Sequence, residues 1–152
     1  MSIRRIAVLL AIVSAIALLG LWARQAKRRA LAMACVNNMH EISIAGRLWA
    51  EDHGGRFPSD FNSMSNELST PYLLQCPADP KWYLPTGQLA LAEWWHTSTI
   101  SDCSYEMLIG GLPLHETNTA AFRCKIHGYL GYTDGVHYDG KRFRWLTAGT
   151  TN

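Results

Sequence analysis

Two residues three apart, Cys124 and His127, have the spacing of half a zinc site, in which a thiolate and an imidazole meet on one ion. Cys76, Cys103 and His137 are the residues elsewhere that could complete such a set. Two points weigh against it. Structural zinc sites usually show two paired knuckles, and here there is one. On a continuous strand, residues three apart face opposite sides, so the pair needs a turn at Lys125-Ile126. The same cysteines admit a disulfide. Cys76 to Cys124 closes a loop of about 48 residues, for a stabilisation of ~4 kcal/mol in the chain-entropy model. Cys103 to Cys124 is the alternative, if those strands are neighbours. The longer bridge is favoured, because Cys76 follows an apolar run and is locked by Pro77. Cys35, on an apolar helical stripe, reads as a small buried residue. No metal or other cofactor is expected.

Other chemistry finds little support. The chain has no Gly-x-Ser-x-Gly elbow, no phosphate-cradling loop and no His-Glu-x-x-His helix. Its Asp-containing segments lack the dense oxygen ligands of a calcium loop. The reading is of a protein that is not an enzyme. A net charge of +2, with six of fourteen Lys and Arg beside one apolar run, also argues against a nucleic-acid partner.

That apolar run is the first of the elements that must position these residues. "IAVLLAIVSAIALLGLWA", Ile6 to Ala23, is eighteen residues without a charge, flanked by Arg4, Arg5, Arg24, Lys27, Arg28 and Arg29. As a helix it covers ~27 Å, roughly a hydrocarbon core. Bulky, basic residues follow it where a signal peptidase would need small ones, so an uncleaved anchor is the economical reading. Residues 1-30 are then anchor and basic flank, and 31-152 a globular domain. Ala7, Ala11, Ser14, Ala15 and Gly20 are the small residues expected where this helix packs on another in the membrane. The charge imbalance across the span mildly favours a cytoplasmic domain, whereas four cysteines suit an oxidising compartment.

Beyond the basic cluster, Cys35, Met39, Ile42, Gly46 and Trp49 recur at spacings of four and three, widened by Val36, Ala45 and Leu48. With no Pro or Gly-rich break between Arg24 and Asp52, helix 31-53 should continue the anchor, until Gly54-Gly55 and Pro58 stop it. Phe61, Met64 and Leu68 suggest a short helix before Pro71. "CSYEMLIGG" reads as a strand. "AFRCKIHG" alternates Phe122, Cys124 and Ile126 against Arg123, Lys125 and His127, a half-buried strand. Asp134-Gly135 and Asp139-Gly140 each stand between β-forming residues, as in hairpin turns. The fold class is α+β, with one long helix packed on a small antiparallel sheet over about 101-147.

The ordered set "CVNNMHEI", "AEDHGGRFP", "CPADP", "SYEML" and "CKIHG…DG" resembles the type IV pilin-like family. More narrowly, it is similar to the pseudopilin-like proteins related to the major subunit of type II secretion. The resemblance implies a structural subunit, with the N-terminus in the cytoplasm and the domain outside the inner membrane. Its partners would be the bilayer and other pilin-like subunits or secretion-system membrane proteins. Where the family carries a Gly-Phe-Thr-Leu-Ile-Glu cleavage sequence, this chain has "SIRRIAVLLAIV", without a Glu in the span. Processing and filament entry therefore do not follow from the resemblance. The alternative is a membrane-tethered metal- or ligand-binding domain using Cys124 and His127.

Overall fold

The computed structural model describes residues 2–81, 103–108, 110–114, 119–132 and 135–137. Helix α1 runs without a break from Ile3 to Asp52. Thirty of its 50 residues are the good helix formers Ala, Leu, Arg, Met, Lys, Gln and Glu, with Gly20 and Gly46 its only glycines and no proline. Gly54 and Gly55 both take positive φ just past its end, and the Gly55 amide returns to the Ala50 carbonyl at 2.8 Å. This is the chain reversal that two glycines allow without a Cβ penalty.

The two halves of α1 lie in opposite surroundings. Every described residue up to Ala30 is exposed, the whole apolar run included. From Cys35 onward, Cys35, Val36, Met39, Ile42, Ser43, Ala45, Gly46 and Ala50 are buried against the head. Two members of the expected stripe depart from it. Leu48 is 48% exposed, and Trp49 is only partly covered, stacking instead on the His53 ring at 3.8 Å. Ser43 and Ala50 are buried on the opposite, Val36 side of the stripe, so the buried face is rotated from the one that the large residues suggested.

Gly46 marks the tightest approach. A Cβ there would lie 2.3 Å from Cε2 of the Phe57 ring, itself fully buried. Replacing a mid-helix glycine by alanine ordinarily gains ~0.5–1 kcal/mol. Overpacking a core costs ~1–3 kcal/mol. The clash should win. Gly46→Ala is expected to destabilise the head by about 1–2 kcal/mol in a denaturant titration. A gain in stability would show that Phe57 does not pack there.

Past the helix, residues 55–57 pair with 111–114. The Phe57 amide donates to the Leu112 carbonyl at 2.6 Å, and the Leu114 amide to the Gly55 carbonyl at 2.8 Å. Phe61, Met64 and Leu68 are buried together, on consecutive turns rather than on a helix. The Asp60 carboxylate accepts from both the amide and the hydroxyl of Ser63, at 2.9 and 3.0 Å. Such local side-chain bonds compete with helix in a Ser- and Asn-rich stretch. A 3-10 turn, Pro71–Leu74, follows, with Thr70 capping the Tyr72 amide at 3.4 Å.

The sheet is an antiparallel meander in the order β1 (Tyr105–Met107), β2 (Ala120–Cys124), β3 (Leu130–Tyr132) and β4 (Gly135–His137). In β2, Ala121, Phe122 and Cys124 are buried and Arg123 is outside, where it pairs with Glu106 of β1. Phe122 sits over Gly131 of β3 and meets Phe61 edge-on, ring centroids 6.3 Å apart. β2 ends at Cys124, three residues short of the expected strand, which would run on through His127. Ile126 consequently lies 43% exposed in the turn instead of facing in. β3 and β4 lie along α1. Gly135, expected in a turn, instead opens β4 and pairs with Tyr132. Asp134, Asp139 and Gly140, the other expected turn residues, lie outside the described residues.

Candidate metal centre

Three segments far apart in the chain converge beside the start of the buried half of α1. Cys35 comes from α1, Cys76 from the loop after the 3-10 turn, and Cys124 and His127 from the end of β2. The three Sγ atoms and a His127 ring nitrogen all lie within 4.8 Å of one another. His127 Nδ1 is 3.3 Å from Cys76 Sγ and 3.8 Å from Cys124 Sγ. All three cysteines are fully buried, His127 partly, and all are free thiols.

Local geometry explains how Cys124 and His127 meet. A turn over residues 125–127 breaks the strand alternation and swings the ring back over the sulfur. Gly128, at φ +71, closes it with its amide on the Cys124 carbonyl at 2.8 Å. Inside the turn the His127 amide points at Cys124 Sγ, 3.4 Å away. The Cys76 segment repeats the device. The Asp79 amide bonds the Cys76 carbonyl at 2.8 Å, and the Ala78 amide donates to the Cys76 sulfur. Pro77 thus sits in a second tight turn, closed three residues after its cysteine where the first closes after four. The third sulfur, on Cys35, lies 3.5 Å from the Tyr105 hydroxyl.

An outer layer holds these turns in place. Asn38, one turn along from Cys35, donates to the Gln75 carbonyl at 3.0 Å and so ties α1 to the Cys76 loop. Ser104 links the two turns: its hydroxyl donates to Asp79 at 2.7 Å, and its carbonyl accepts the Lys125 amide at 2.8 Å. Its own amide reaches the Leu74 carbonyl at 3.0 Å. Tyr129 stacks on the His127 ring, centroids 4.9 Å apart.

Crowding three buried thiols together drives their acidities apart. Cys124 is held far below the ordinary thiol range, first by S–H donation from Cys35, then from Cys76, with the His127 amide and ring adding to it. Cys35 is pushed up by the same contacts with Cys124 and Cys76, and by burial. Cys76 rises to about 11, chiefly through Cys124. The Tyr105 hydroxyl is pushed up by burial and by its Cys35 neighbour.

The sequence brought Cys76, Cys124 and His127 into view but read Cys35 as core. No spacing signal marks Cys35, because its apolar helical context is that of a buried residue; only tertiary contact reveals its partners. Cys103 stands apart. Its thiol donates to the Leu74 carbonyl at 3.1 Å, and burial raises it to about 11. Of His137 only the strand position, opposite Leu130, is described. In the exposed helix, Ala7, Ala11, Ser14 and Ala15 share one face at 100° per residue, while Gly20 lies nearly opposite. The Ser14 hydroxyl donates to the Ala11 carbonyl at 2.9 Å, so it is satisfied within the helix.

Chemically, the cluster could form one disulfide and leave a third thiol, or hold a thiophilic ion with all four groups. With the sulfurs fully buried, it offers no approach for a substrate. No protein-family model matches the chain, nor does any curated protein or solved structure compared with it.

Proposed function

We propose that this protein is a membrane-anchored, pilin-like structural subunit of a type II secretion or type IV pilus-like assembly. The N-terminal half of α1 crosses the inner membrane once, from a cytoplasmic N-terminus, and the head stands outside. One observation carries the reading: a single 50-residue helix changes from wholly exposed and apolar to buried under a head without a break. An exposed apolar surface of that length needs lipid or other helices around it. The resemblance of the ordered motifs to pseudopilins supplies the rest. The role is assembly, not catalysis.

Helix pairing in lipid relies on close contact of small residues. Ala7, Ala11, Ser14 and Ala15 form such a face, and the bulkier Val13 lies opposite. A photo-crosslinking residue at position 11, in membranes of the producing cells, is expected to give products of two or more chains, or of this chain with another membrane protein. The same residue at position 13 should give markedly less. Monomer alone from every position along the span would sink the structural reading. The second reading, a membrane-tethered metal-binding domain, is favoured by the sulfur cluster and is compatible with the first, since an ion inside the head can serve its architecture.

A further inference from the structure

We infer that Cys35, Cys76, Cys124 and His127 bind one zinc ion as a closed structural centre that clamps the head onto α1. This stands independently of the pilin-like reading, because it rests on the four side chains alone.

The distances fit. A tetrahedron with Zn–S of about 2.3 Å and Zn–N of about 2.0–2.1 Å has S···S edges of roughly 3.8 Å and S···N edges of roughly 3.6 Å. The observed S···N distances, 3.3 and 3.8 Å, bracket the second, and all four ligand atoms fall within 4.8 Å of one another. Three sulfurs and one imidazole are the donor set of a Cys3His site, soft enough to choose zinc over calcium or magnesium.

The surroundings point the same way. Each sulfur has its own donor: the Tyr105 hydroxyl for Cys35, the Ala78 amide for Cys76, the His127 amide for Cys124. Neutral thiols are poor acceptors and gain little from such donors. Thiolates gain much, but three buried thiolates without a cation would be prohibitively costly. A dication resolves both points. Zinc binding releases the thiol protons, forms three Zn–S bonds and one Zn–N bond, and involves no change of oxidation state.

The ligands also define the role. Four protein donors, three of them fully buried, fill the tetrahedron and leave no position for water or substrate, which marks a structural rather than a catalytic ion. They come from α1, from the loop after the 3-10 turn and from the sheet, so a single ion fastens all three parts of the head.

The test uses the full chain purified in detergent without added metal or chelator. Elemental analysis should find one zinc per chain, and X-ray absorption should show three sulfur and one nitrogen neighbours. Cys35→Ser should lower zinc affinity at least about 100-fold, more than Tyr105→Phe, which removes an outer-layer donor and should cost about tenfold. Cys103→Ser should retain full zinc. Should the ligand variants fail to fold, the absorption spectrum of the wild-type chain still decides the matter. Less than a tenth of an equivalent of zinc, iron or copper in its place, a different neighbour set, or a disulfide between any two of Cys35, Cys76 and Cys124 would each overturn the inference.

Discussion

Phe122→Ala should lower the unfolding free energy of the head by about 3–5 kcal/mol, the range for emptying a fully buried aromatic site. The ring has no exposure, packs edge-on against Phe61, and roofs Gly131 so closely that a Cβ there would fall 2.2 Å from its Cζ. Against a total stability of roughly 5–15 kcal/mol, such a loss is near the limit the domain can survive. Denaturant titration of the detergent-solubilised chain, followed by near-ultraviolet circular dichroism, provides the measurement. The glycine provides a control. Gly131→Ala alone should be destabilising, yet should cost less in the Phe122→Ala background, where the ring it would strike is gone. Additive effects, or a Phe122→Ala loss below about 1 kcal/mol, would show that the ring does not lie over β3.

Ala30→Pro should break the mechanical link between span and head while leaving the head folded. Position 30 is exposed and precedes the first buried residue of α1 by five positions. A proline there removes one helical hydrogen bond and pushes its ring into the carbonyl of Ala26, at a cost of about 3 kcal/mol or more. That cost falls on the helix and not on the core, so the outcome is a kink. Spin labels placed through unnatural amino acids at positions 18 and 51, both exposed, are about 50 Å apart along a straight helix. The native chain in lipid should give a narrow distance distribution, and Ala30→Pro a shorter, broader one with an unchanged melting temperature for the head. If the native chain already gives the broad distribution, the rod is not continuous. The pilin-like reading would then lose its central support.

The cysteines connect these points to the compartment. In an oxidising environment, three thiols in contact would pair through disulfides and leave one over. Coordination by one ion would use all three and hold them reduced, so under the proposed topology, with the head outside the cytoplasm, the arrangement persists only if the ion arrives before oxidation does. Cys103, hydrogen-bonded to a carbonyl and away from the cluster, behaves as ordinary core.

Much of the architecture is legible in residue order, because it follows from local rules. Eighteen uncharged residues between basic flanks specify a lipid-length helix. The lack of Pro or paired Gly to Asp52 lets that helix run on, and two positive-φ glycines stop it. Alternation around Phe122 and Cys124 identifies β2. What local rules could not supply is where a strand stops. β2 yields to a turn at Lys125, which exposes Ile126, turns His127 inward and makes a Cys-x-x-His pair out of residues that a continued strand would hold apart. Nor could they reveal that Cys35, on a stripe indistinguishable from core, meets sulfurs 41 and 89 residues further along. Helix and turn formation depend on neighbours a few positions away, so they are written in the order of the residues. A four-ligand cluster depends on three segments docking in one place, and that only the folded chain decides.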